Sequence, residues 1–219
     1  MPSFNLHHLY LLLVAHAAAK RSVEDAKRQP DALTDDALVA IVVAASAAEA
    51  FINELAYYLR LLGDTRADWA PVESELLACA DVVNEIEVAH GSVTDKYLAA
   101  SSVLSGSAFD KGAPAFQDFA CLVRLRNAIM HLKPEATAGQ KWTDVLAARG
   151  LVLSVSSTCH LPWLDRLLTP RTAAWAVETA RNIMLQLLDM APKQYDTKGL
   201  DTLASWERPL RNHPGFAKN

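Results

Sequence analysis

Glycine is scarce in this chain, with 8 among 219 residues, and cysteine scarcer, with 3. So few glycines leave no glycine-rich phosphate loop and no nucleophile elbow. Cys79, Cys121 and Cys159 form no Cys-x-x-Cys pair and are odd in number, which argues against a disulfide frame or structural zinc and for reduced thiols in the cytoplasm. Positive charge is in deficit as well: 21 Lys and Arg face 25 Asp and Glu, a net charge of −4. The molecule as a whole is therefore no basic nucleic-acid binder, and any contact with RNA has to be a local patch. The apolar run from Leu9 to Ala15 is too short to span a membrane, and no positive segment or cleavage pattern makes it a signal peptide. Internal repeats and low-complexity tracts are missing too.

What is present favours helix. Hydrophobic residues make up 51% and charged residues 21%, and alanine and leucine dominate. The expected class is all-α. Asn5 to Lys27 reads as a first helix with Leu6, Leu9, Leu12 or Leu13, and Ala17 on its apolar stripe. His7, His8 and His16 lack metal-ligand spacing and read as surface or satisfied core histidines. After Gln29-Pro30-Asp31, Thr34 looks like an N-cap, with Asp35 and Asp36 in the first turn of a second helix that reaches about Leu62 and stops at Gly63. Further helices are expected over Val72 to Ala89, closed by His90-Gly91, and over Asp95 to Leu104. Beyond Pro134, Thr143 to Ala148 reads as a short helix, and Leu151 to Ser156 has strand composition. Thr169-Pro170 starts a last long helix that stops before Pro192, and the stretch after Lys193, with Trp206 and Phe216, reads as a tail draped over the bundle or over a partner subunit. Residues 1–30 are thus an N-terminal helix packed on a bundle of residues 31–192, with 193–219 as tail.

The stretch Leu125-Arg126-Asn127-Ala128-Ile129-Met130-His131 carries the chemistry. Phe116, Phe119, Ala120, Val123 and Met130 recur at helical steps ahead of it, and Lys133-Pro134 stops the helix. Asn127 and His131 are four apart and share a face. Arg126 and His131 are roughly 140° apart around the axis and flank one groove. A guanidinium fork matches phosphate oxygens, and an imidazole titrates near neutral pH, a set that suits metal-free general acid–base cleavage of a phosphodiester. By spacing alone the same residues also suit a structural role, with Arg126 on a carboxylate and His131 closing a helix end. Arg124, Arg126, His131 and Lys133 together form the local basic patch that overall charge denies.

Glu49 falls on the apolar stripe of the second helix, four after Ala45 and three before Ile52, with Asn53 one turn on. A carboxylate facing a core is costly unless paired. Glu49 either reaches the rim or pairs with Arg126 or Arg124 and orients it; in both cases Glu49 and Asn53 support the site. Lys96 and Tyr97 either face the site or lie on the surface. The second Arg-Asn, at Arg181-Asn182, has no histidine at the needed distance and reads as coincidence.

Arg126-Asn127-x-x-x-His131 near a helix end resembles the Arg-x(4–6)-His signature of the HEPN superfamily. Ala48-Glu49-Ala50-Phe51-Ile52-Asn53-Glu54-Leu55 is similar to that family's early-helix pattern, and the likeness takes in Asp95-Lys96-Tyr97 and Gly112 to Phe119, covering about Thr34 to Met190. The resemblance implies an HEPN-like helical bundle, here with a short irregular or β-like insertion after the motif helix. It further implies a homodimer through that helix, forming a composite cleft for single-stranded RNA, and no cofactor. Arg126 would hold the scissile phosphate, His131 would act as general acid or base, Asn127 would orient either, and Arg124, Lys133 and Lys96 would bind RNA. Family members often act as toxins or in antiviral defence, so an antitoxin or a defence-system protein is an implied partner. Other members are non-catalytic scaffolds or nucleotide- or protein-binding modules, which is the alternative function.

Overall fold

The computed structural model describes residues 6–28, 34–65, 73–131, 143–152, 162–191 and 201–216. Among the described residues seven helices carry the fold: α1 (His7–Arg28), α2 (Asp35–Thr65), α3 (Glu73–Val88), α4 (Val93–Ser105), α5 (Pro114–Met130), α6 (Pro170–Met190) and α7 (Asp201–Asn212). Short helical turns at 143–147, Asp165–Leu167 and Pro214–Phe216 complete it, and no strand occurs among the described residues. Of the strand-like stretch, Leu151 and Val152 are described and are not in a strand, while residues 153–160 lie outside the described residues, as do Lys133, Pro134 and Cys159.

The central element is α2, which packs against α1, α3, α4, α5 and α6. Its first half is an alanine seam: Ala37, Ala40, Ala44, Ala47 and Ala48 are fully buried, as are Ala15 and Ala18 of α1. Small side chains on both helices let the backbones approach closely. The segment Asp35–Leu61 is apolar and long enough to cross a membrane by composition alone. Half of that apolar window is buried in the bundle, where Ile41, Phe51, Ile52, Leu55 and Leu59 all lie in the core. Phe51 stacks on Tyr97 of α4, which meets Phe119 of α5 edge-on. The Tyr97 hydroxyl is buried but satisfied, donating to the carbonyl of Ala48 at 2.9 Å. The surface reading of Tyr97 is thus corrected.

Helix ends follow local chemistry in most places. Ser92 caps α4 in a reciprocal box with Asp95, and Gly106 closes it at φ 71°. Thr169 caps α6 by accepting from the backbone of Thr172 at 3.0 Å, with Pro170 in the first turn. Other ends depart from expectation. Thr34 precedes α2, but its buried hydroxyl makes no bond among the described residues. Gly63 does not stop α2, which continues to Thr65. At the end of α3 the left-handed residue is His90, at φ 55°, and Gly91 is needed for a different reason: a Cβ there would come within 2.5 Å of Ile86. Its N–H closes the helix by donating to the Ile86 carbonyl at 2.8 Å.

Two packing expectations are corrected. The buried face of α1 is His8, Leu12, Ala15, Ala18, Ala19 and Ser22, whereas Ala17 is exposed. Met130 is 58% exposed, and Leu122, Leu125 and Ile129 take the core positions of α5. The C-terminal stretch lies on the bundle as a helix: Trp206 and Leu210 of α7 are buried, and the Trp206 ring meets His8, Phe51 and Tyr58. Arg181 clasps that helix by donating to the carbonyls of Leu210 and Arg211, which is what the second Arg-Asn does in this fold.

Candidate functional site

Helix α5 ends where the motif stands. Met130 is its last residue, and His131 caps it with φ −119° and ψ 47°, its backbone N–H donating to the Asn127 carbonyl at 3.0 Å. Asn127 and His131 are exposed and Arg126 is half-buried. The imidazole of His131 has no hydrogen-bond partner among the described residues. Arg126 is held on both sides: Nη2 donates to Glu49 Oε2 of α2 at 3.1 Å, and Nη1 donates to Asn127 Oδ1 at 3.0 Å. Of the two arginines weighed for Glu49, the structure selects Arg126. Arg124 points elsewhere, its Nε donating to the Ala120 carbonyl at 3.0 Å. The Arg126 and Glu49 side chains are 30% and 33% exposed, so the pair is neither sealed in the core nor free in solvent.

One turn along α2 a second polar knot forms beneath the first. Lys96 of α4 is 1% exposed, and its Nζ donates to Asn53 Oδ1 at 2.8 Å and to Glu87 of α3. Burial lowers the ammonium's pKa from its usual value, and the charge of Glu49 pulls it back up. Lys96 therefore faces the site from below but is not an RNA-binding surface lysine, which corrects that assignment. It ties α2, α3 and α4 together under Glu49. Glu87 had no signal in the sequence beyond its place on α3; only the packing of α3 on α4 brings it to Lys96.

The remaining titrating groups lie apart from this cluster. His8 is fully buried, with Nδ1 2.6 Å from Glu54 Oε2, and Nε2 has no partner among the described residues. It is thus a core histidine only half satisfied. His7 Nδ1 lies 3.1 Å from Glu54 Oε1. Cys79 is buried and its thiol is pushed up to about 12, which removes it as a nucleophile. Burial likewise raises the Cys121 thiol. Among the described residues no group of three His, Cys, Asp or Glu side chains is placed to hold a metal ion.

The arrangement offers a braced guanidinium, an exposed amide and an exposed imidazole at one helix end, above a buried ammonium that fixes the supporting helices. Such a set can bind an oxyanion and move a proton. Compared with known proteins, the chain matches no family model, no curated protein and no solved structure.

Proposed function

We propose that the chain is an endoribonuclease of HEPN type, cutting single-stranded RNA without a metal where the α5 ends of two copies meet. The observation that carries this reading is the imidazole of His131, exposed and unpartnered among the described residues at the cap of α5, beside an arginine braced by Glu49. Arg126 grips the non-bridging oxygens of the scissile phosphate. A base removes the proton of the ribose 2′-hydroxyl, whose oxygen bonds to phosphorus. The bond to the 5′-oxygen breaks, and that oxygen takes a proton from an acid. The products are a 2′,3′-cyclic phosphate and a free 5′-hydroxyl. One imidazole per chain cannot be base and acid at once, and a second copy related by a twofold supplies the other. Met130, bare on the single chain beside His131, fits a surface covered by that copy. Asn127 orients the phosphate or the imidazole. A toxin or antiviral role in the cytoplasm, with an antitoxin or defence-system partner, goes with this reading.

The second reading, a non-catalytic scaffold or binding module of the same fold, is favoured by one observation: the guanidinium of Arg126 is already engaged by a carboxylate of its own chain. Purified protein incubated with varied single-stranded RNAs in EDTA separates the two. Cleavage leaving cyclic or 3′-phosphate ends, lost in His131→Ala and Arg126→Ala chains that remain folded and dimeric, supports the enzyme. Equal cleavage by all three proteins marks a contaminant and removes the assignment, and an inactive wild type favours the scaffold.

A further inference from the structure

A cleft of about 480 Å³ opens on the flank of α5 away from Glu49. Its lining brings together Lys111, Arg124 and Arg149 with the hydroxyl of Thr94 and the amide of Gln117, with no carboxylate lining it among the described residues. In a chain of net charge −4 such a concentration of cations is local, and only Arg149 among the three is paired with a carboxylate among the described residues, Asp118. Arg149 spends Nε on Asp118 at 2.7 Å and Nη1 on the Val145 carbonyl at 3.0 Å, which fixes its fork. Arg124 spends only Nε, on its own helix. Lys111 is exposed and has no partner among the described residues. Both guanidinium groups lie within electrostatic reach of the buried Cys121 thiol, so they converge on one place from α5 and from the turn before Gly150.

The cleft is also in line with the imidazole. Gln117 and Arg124, seven apart on α5, turn by only about 20° and advance by about 10 Å, and His131, seven further on, caps the same helix. A single strand laid along α5 would pass both. Phe116 is buried, so the cleft presents no aromatic face for stacking a base. Its donors suit backbone oxygens, which carry no sequence information.

We propose that this cleft is a phosphate-binding subsite, in which Lys111, Arg124 and Arg149 hold a phosphodiester of the RNA strand flanking the linkage that His131 cuts. The proposal rests on the ribonuclease reading and adds a register to it: the strand lies along α5, anchored at one point and cut at another. Anchoring of this kind raises affinity without touching the reacting atoms, so its loss appears in KM more than in kcat.

The test uses the full-length chain carrying His131→Ala, so that labelled single-stranded RNA is bound and not cut, and reads Kd by anisotropy across a salt series. Lys111→Gln and Arg149→Gln are added singly and together; Lys111 has no partner among the described residues, which keeps the test valid if Arg149→Gln loosens its bridge to Asp118. The expected result is a several-fold loss of affinity per variant, equal for all RNA sequences, with the log–log salt slope falling by about 0.7 for each phosphate contact removed. In the cleaving background the same variants raise KM and largely spare kcat. Unchanged Kd and slope in both variants, with wild-type cleavage intact, overturn the subsite alone. A wild type that neither binds nor cuts RNA overturns the subsite together with the function on which it rests.

Discussion

The guanidinium of Arg126 meets the carboxylate of Glu49 at 3.1 Å across the seam between α5 and α2. Both side chains are about a third exposed, so the pair adds little to stability, about 1 kcal/mol or less. What the contact does is orient: it fixes one face of the fork and turns the rest toward Asn127 and the open end of α5. Glu49→Ala is therefore expected to leave the urea midpoint almost unchanged while lowering cleavage of single-stranded RNA. A large loss of stability with no change in cleavage would show the pair to be structural.

Lys96 makes the opposite case, a buried cation whose partners differ in exposure. Glu87 is 58% exposed and regains water if the ammonium is removed. Loss of Asn53, by contrast, leaves a buried ammonium with one partner fewer. Asn53→Ala is expected to cost about 1–3 kcal/mol. Lys96→Met keeps the stem packed and is expected to cost less, with RNA affinity unaltered. Urea unfolding of the two variants decides the order, and a reversed order would mean that the ammonium contributes more than its burial costs.

Glu54 gives the fold an acid-sensitive joint. Burial raises its pKa, but the hydrogen bond and charge of His8, with His7 beyond, outweigh that and hold it below its usual value. A carboxyl whose folded pKa is depressed stabilises the fold above its unfolded pKa, and that stability is lost as pH falls through the folded one. The wild type is thus expected to lose stability on acidification through the carboxylate range, and Glu54→Gln to flatten that part of the profile. Parallel profiles for the two proteins would dismiss the joint.

The turn after α3 holds a paired test of backbone and packing. His90 adopts the left-handed region at φ 55°, so His90→Gly is expected to gain on the order of 1 kcal/mol. Gly91→Ala drives a methyl into Ile86 and is expected to cost about 1–3 kcal/mol. Thermal unfolding of both variants checks the opposite signs; equal signs would contradict the close approach.

Much of the helix architecture is written locally. Ser92 with Asp95, Gly106, and Thr169 with Pro170 mark their helix ends wherever the rest of the chain lies, because a cap bonds within its own turn. Glu49 is legible as a carboxylate in need of a partner because helical spacing alone sets it on an apolar stripe. The sequence by itself determined the all-α class, the Thr169-Pro170 start of α6, and a guanidinium, amide and imidazole at one helix end. Tertiary structure alone decided that Glu49 takes Arg126 rather than Arg124, that Lys96 goes under the site, that Met130 stays outside, that Trp206 closes the core, and that Arg149 joins Arg124. Periodicity records which residues share a face, whereas burial and pairing depend on which other helix, distant in sequence, is packed against that face.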